Sequence, residues 1–115
     1  MKILLDEIDE NIDVRFRFSF DGSGHDVVTT EYMGWKGVKN GALLRLVAEQ
    51  DFDALIAVDK KLPYQQNQQD LSVAVVILDI RRNVLASLKR FVPELLLIFS
   101  ESIRCEVTVL PEPVS

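Results

Sequence analysis

Short apolar runs that stop abruptly at a carboxylate recur along this chain. Ile3-Leu4-Leu5 stops at Asp6-Glu7, Ala54-Leu55-Ile56-Ala57-Val58 stops at Asp59, and Val73-Ala74-Val75-Val76-Ile77-Leu78 stops at Asp79. A short continuous apolar run marks a strand buried on both faces, the pattern of a parallel sheet. Val27 to Thr29 adds a short β-branched strand. Cys105-Glu106-Val107-Thr108-Val109 alternates as a one-faced edge strand, with Pro111 and Pro113 ending the ordered chain.

Helical spacing fills the gaps. Asn40 is a good N-cap for a helix from Gly41 to Gln50, in which Leu43, Leu44 and Val47 share a face. Leu85, Leu88 and Val92 mark another, and Pro93 suits the first turn of a further helix carrying Leu95, Leu96, Phe99 and Ile103. Lys60 to Asp70 is polar and predicts a turn and a short helix, with Pro63 near its start. Residues 8–20 support two readings. Val14, Phe16, Phe18 and Phe20 alternate with Arg15, Arg17 and Ser19, which is strand periodicity, and Asp21-Gly22-Ser23-Gly24 follows as a turn. A helix would put Ile8, Ile12 and Phe16 on one face, with Asp9 near its start, and would need a second buried side for Val14 and Phe18.

Strands alternating with helices predict an α/β domain with a mainly parallel five-stranded sheet and helices on both faces. Right-handed crossovers make the order 2-1-3-4-5 the expected one, with the strands ending in Asp6 and Asp59 adjacent at the switch point and Asp79 one strand further out. The expected domain is 1–110, followed by a tail over 111–115, without repeats or a linker.

Composition narrows the chemistry. No run is long and apolar enough to span a bilayer, and Met1-Lys2-Ile3 leads straight into a strand without a secretory leader. Cys105 is the single cysteine, which fits a cytoplasmic protein and leaves no internal disulfide or thiolate cluster. His25 is the single histidine, so a multi-histidine metal site is excluded and any metal is a hard cation on oxygen ligands, magnesium or manganese. A net charge of −5 argues against nucleic-acid binding by bulk electrostatics. Lys36, Lys39, Lys60, Lys61, Arg81, Arg82, Lys89 and Arg90 are candidates for a local basic rim, with surface solubility as the plainer reading.

Ligands of open α/β sheets bind outside the carboxyl ends of the strands, so the acids collected there are the candidate site. Asp6, Glu7 and Asp59 would converge, and packed carboxylates repel unless a cation lies between them. A divalent metal relieves that repulsion and can activate a water. The plainer reading is that strand-end acids cap neighbouring helix N-termini. Asp9, Glu10, Asp13 and Asp21 read as solvated surface charge, His25 as a structural or exposed loop residue, Trp35 as loop or core packing, and Cys105 as a small core residue. Trp35 and Tyr64 could instead stack on a base, and Gln65, Gln66, Gln68 and Gln69 either hydrogen-bond a ligand or form a polar helix face.

Three stretches together resemble a family of small bacterial PIN-like proteins, related to VapC-type toxins and the Mut7-C nuclease domain. They are Met1 to Glu7, Met33-Gly34-Trp35-Lys36-Gly37-Val38-Lys39-Asn40-Gly41-Ala42-Leu43-Leu44, and Val58-Asp59-Lys60-Lys61-Leu62-Pro63-Tyr64-Gln65-Gln66-Asn67. The resemblance implies a magnesium- or manganese-dependent ribonuclease on a Rossmann-like, three-layer parallel sheet. It implies metal positions at Asp6, Asn40 and Asp59, assisted by Glu7, with Asp6 and Asp59 catalytic. It also implies RNA contacts from Lys60, Lys61, Tyr64, Gln65, Gln66 and Asn67, an antitoxin as protein partner, and by analogy a homodimer. A helix after Glu7 belongs to it as well, which overrules the strand reading of Val14 to Phe20. The chain departs from the family at Asn40, where active relatives carry an acid; an amide oxygen can ligate a hard cation but brings no charge. Two further readings stand beside the nuclease. One is a catalytically silent PIN-like module for protein or RNA binding. The other is a receiver-like phospho-acceptor domain, against which Asp79 stands where a Ser or Thr is expected and no Lys follows within Arg104 to Ser115.

Overall fold

The computed structural model describes residues 1–8, 10–38, 40–58, 72–101 and 103–113. The element order is β1 (Lys2–Leu5), α1 (Glu10–Phe18), β2 (Asp26–Thr29), α2 (Asn40–Glu49), β3 (Ala54–Ala57), β4 (Ala74–Asp79), α3 (Leu85–Lys89), α4 (Val92–Ser100) and β5 (Val107–Pro111). The five strands form one sheet in the order 2-1-3-4-5, and every neighbouring pair is parallel. Leu5 stands beside Thr29 on one side and Ile56 on the other, while Asp79 stands beside Pro111 at the far edge.

Alternate residues of the strands point to opposite faces, and each face has its own core. On one, Ile3, Leu5, Ile56 and Val76 pack with Phe16 of α1, Leu88 of α3, and Leu95 and Phe99 of α4. On the other, Leu4, Leu55, Val75 and Ile77 pack with Leu43, Leu44 and Val47 of α2. The result is the three-layer arrangement expected from the pattern.

Residues 10–18 are helical, against their strand periodicity. Two parallel strands cannot be joined by a hairpin, so the β1–β2 connection has to cross over a face of the sheet. Phe16 is fully buried, Phe20 is nearly so, and Ile8 and Ile12 pack against the same core. The two phenylalanine rings meet edge-on with centroids 5.4 Å apart. Val14 and Phe18 gain no second buried side and lie exposed. The helix closes through i→i−3 bonds, Ser19 N–H to the Phe16 carbonyl and Phe20 N–H to that of Arg17, at 2.9 and 3.1 Å.

One other boundary differs from expectation. Pro93 lies in the first turn of α4 as predicted, but β5 begins two residues beyond Cys105, which is exposed and lies outside the core. The register is set instead by Leu110, which is buried against the sheet.

The crossovers do not all have the same hand. The chain moves toward one edge of the sheet in going from β1 to β2 and toward the opposite edge from β4 to β5. Yet α1 and the α3–α4 pair cover the same face. These two connections therefore have opposite hands, and that of α2, which crosses the other face, agrees with α1. Right-handed connection is the near-universal choice, and these two connections cannot both follow it.

Candidate functional site at the carboxyl edge of the sheet

The central strands deliver their last residues to one edge, and Asp6 stands in the middle of it. Its N–H donates to the Ile56 carbonyl at 2.8 Å, extending the β1–β3 ladder one residue past β1. This fixes the Asp6 backbone between β1 and β3, the pair expected at the switch point. One carboxylate oxygen, Oδ1, accepts the Glu7 N–H at 2.7 Å. Glu7 is exposed, and its Oε2 accepts the N–H of Gly37 at 3.3 Å.

That last bond joins the exit of β1 to the loop that leads into α2. The loop is shaped from within: Tyr32 N–H donates to Thr29 Oγ1 at 3.2 Å, Met33 N–H to the Thr29 carbonyl at 3.3 Å, and Trp35 N–H to the Thr30 carbonyl at 2.9 Å. Thr29 and Thr30 are both buried. Trp35 packs edge-on against Phe52, with centroids 6.0 Å apart, as the plainer reading expected. Gly37 has φ +86°, a left-handed conformation that favours glycine. Asn40 is the first residue of α2, one position earlier than predicted; its side chain lies outside what is described.

Asp13 corrects the reading of the α1 acids as solvated charge. It is 5% exposed, and Oδ1 and Oδ2 each lie 3.3 Å from the Ile8 backbone nitrogen. An acid in the first turn of a helix suits the helix dipole, and here it also holds the segment between Asp6 and α1. The sequence signal was its distance from Ile8, reachable only once 10–18 is helical.

The other predicted positions divide. Asp79 ends β4 at the same edge, half-buried. Arg81 and Arg82 follow it directly and are exposed, as is Lys36 in the loop bonded to Glu7. Lys89 and Arg90 lie at the far end of α3. His25 precedes β2 at the opposite edge of the sheet, its ring 5.8 Å from that of Phe99. Asp59, Lys60, Lys61, Tyr64, Gln65, Gln66 and Asn67 lie outside the described residues, as do Lys39 and Asp9. Among the described residues, no three His, Cys, Asp or Glu side chains come together as a metal-holding group. The described part of the edge thus supplies one centrally placed carboxylate, Asp6, with Glu7 engaged by a backbone amide.

Comparison with protein-family models, with curated proteins and with solved structures gave no match to this chain. No helix among the described residues is long and apolar enough to cross a membrane.

Proposed function

We propose that this chain is a PIN-like, magnesium- or manganese-dependent ribonuclease of the cytoplasm, acting as the toxin of a toxin–antitoxin pair. The observation that carries the reading is the Asp6 N–H bond to Ile56, which holds an acid at the β1–β3 boundary of a parallel 2-1-3-4-5 sheet. Asp59 follows β3 by two residues in the sequence and is the second acid of the reading. A bound divalent ion would supply a water activated near neutral pH. Asp6 and Asp59 would hold the ion, and Lys36, Arg81 and Arg82 would attract an RNA phosphate backbone. Glu7 acts in this reading through its backbone partner, by steadying the loop that carries Lys36 and leads to Asn40.

A second reading, a catalytically silent module of the same fold, is favoured by the engagement of Glu7 with Gly37 and by the amide at Asn40.

A melting curve with and without millimolar manganese separates the two, measured on the wild type, Asp6→Asn and Asp59→Asn. A ligand bound only by the folded state raises the melting temperature by mass action. The nuclease reading expects a rise in the wild type that both variants lose, followed by cleavage of single-stranded RNA that both variants lack. An unshifted wild type sinks the metal-dependent enzyme.

A further inference from the structure

The two edges of the sheet are finished differently. At β2, the Asp26 N–H donates to the Met1 carbonyl at 2.9 Å, so Val27 and Thr29 turn their backbone groups outward. Both outward carbonyls are taken. That of Val27 accepts Arg17 Nε at 2.7 Å, and that of Thr29 accepts the Met33 N–H at 3.3 Å. At β5, the Val75 N–H donates to the Glu106 carbonyl at 3.0 Å. This turns Thr108 and Leu110 toward β4 and leaves the backbone groups of Val107, Val109 and Pro111 facing outward. Pro111 lies where its missing N–H costs no ladder bond. Among the described residues, no bond reaches the outward groups of Val107 or Val109. Val107 to Pro111 carries no charged side chain, the usual device for keeping another strand off an edge. Val109 is half-exposed beside it.

A cleft of about 180 Å³ adjoins this edge. Glu106 and Thr108 form its β5 wall, and Ile98, Glu101, Ile103 and Arg104 come from α4 and the turn beyond it. Glu101 and Glu106 are exposed, and among the described residues no ion pair engages either. Two carboxylates against one guanidinium leave the cleft acidic. It lies at the carboxyl end of α4, where the helix dipole favours a cation. The two isoleucines supply an apolar side that suits the methylene stem of a lysine.

A strand added to a free edge gains main-chain hydrogen bonds, while pockets for alternate side chains select its sequence. We propose that β5 receives an extended, lysine-bearing peptide of a partner protein as a sixth strand. One lysine crosses Thr108 into the cleft and sets its ammonium between Glu101 and Glu106. Apolar residues on the opposite face of the peptide meet Val109. The net charge of −5 draws a basic partner from longer range. Ala74 opens β4 and Glu106 precedes β5, so the cleft lies at the amino end of the sheet. A partner docked there leaves the acid edge, at the opposite end, uncovered. The site is therefore separate from one that an antitoxin would block, and it does not rest on the nuclease reading.

The probe is a short fluorescent peptide of alternating valine and lysine, followed by anisotropy, with amide exchange of the protein read by NMR. Binding tighter than about 1 mM is expected. The Val107 and Val109 amides, fast in the free protein, should slow when the peptide is bound. N-methylation of every second peptide residue should abolish binding in one phase and spare it in the other, because only one set of donors faces β5. The double variant Glu101→Gln, Glu106→Gln should retain the melting temperature and bind the lysine peptide at least about tenfold more weakly. A norleucine peptide, which keeps the stem without the ammonium, should bind the variant and the wild type alike. No binding, equal effects of the two N-methyl phases, Val107 and Val109 amides that stay fast, or a lysine peptide indifferent to the double variant would each overturn the proposal. Protection of those amides in the protein alone, with a dimer by light scattering, would give the edge to a second copy and overturn it too.

Discussion

Both carboxylate oxygens of Asp13 lie 3.3 Å from the backbone nitrogen of Ile8, so a buried acid in α1 holds the segment that leaves Asp6. The bond joins the site to the core: Phe16, one helical turn beyond Asp13, is among the most deeply buried residues of the chain.

Asp13→Ala should lose about 1 kcal/mol of stability, because it removes the carboxylate that accepts the half-buried Ile8 N–H. Asp13→Asn keeps an acceptor oxygen and should lose less. Urea unfolding of the three proteins checks the order, and an unchanged midpoint for Asp13→Ala would remove Asp13 from the framework of the site.

The helical assignment of 10–18 separates two neighbouring phenylalanines. Phe16→Ala should cost about 3–5 kcal/mol, the range for emptying an aromatic core site. Phe18→Ala, on the exposed side, should change stability by less than about 0.5 kcal/mol. Equal losses at both positions would return the segment to a strand buried on one face, since residues two apart share a face only there.

Gly37→Ala isolates the backbone of the α2 loop. No atom within 4 Å would meet an added Cβ, and φ is +86°, so the cost is conformational alone, about 1–2 kcal/mol. Glu7→Gln retains an acceptor for the Gly37 N–H, whereas Glu7→Ala does not. Faster hydrogen exchange of the Gly37 amide in Glu7→Ala but not in Glu7→Gln is the expected signature, and equal rates in all three would dissolve the tie.

At the other edge, β5 is tested by two adjacent residues. Leu110 is 5% exposed and Val109 51%. Leu110→Ala should cost about 2–5 kcal/mol, while Val109→Ala should be close to neutral. The reverse order would shift the strand by one residue and put the wrong face against the core.

Sheet order and both helical layers were legible because β1, β3 and β4 are buried on both faces and leave uninterrupted apolar runs. The 8–20 segment was not legible from periodicity, since every second residue from Val14 to Phe20 is apolar; the need for a crossover between parallel strands decided it. Cys105 was misread because Val107 and Val109 alternate equally well in a strand begun two residues early. Asp6 was correctly placed at the edge by its position after Leu5. Asp13 was missed because its role depends on a bond to Ile8 that exists only after the helix forms. The hand of the last crossover has no local sequence signal, since it depends on which layer receives α3 and α4.

That last feature reaches beyond topology. With α4 in the layer of α1, Phe16 and Phe20 from the first quarter of the chain share one core with Phe91, Leu95 and Phe99 from the last. A fragment cut after β4 would keep every central strand but strip that layer of half its cover, exposing aromatic surface that water penalises heavily. The two ends of the sequence therefore fold as obligate halves of a single cooperative unit, and a truncation at either terminus is felt at the opposite one.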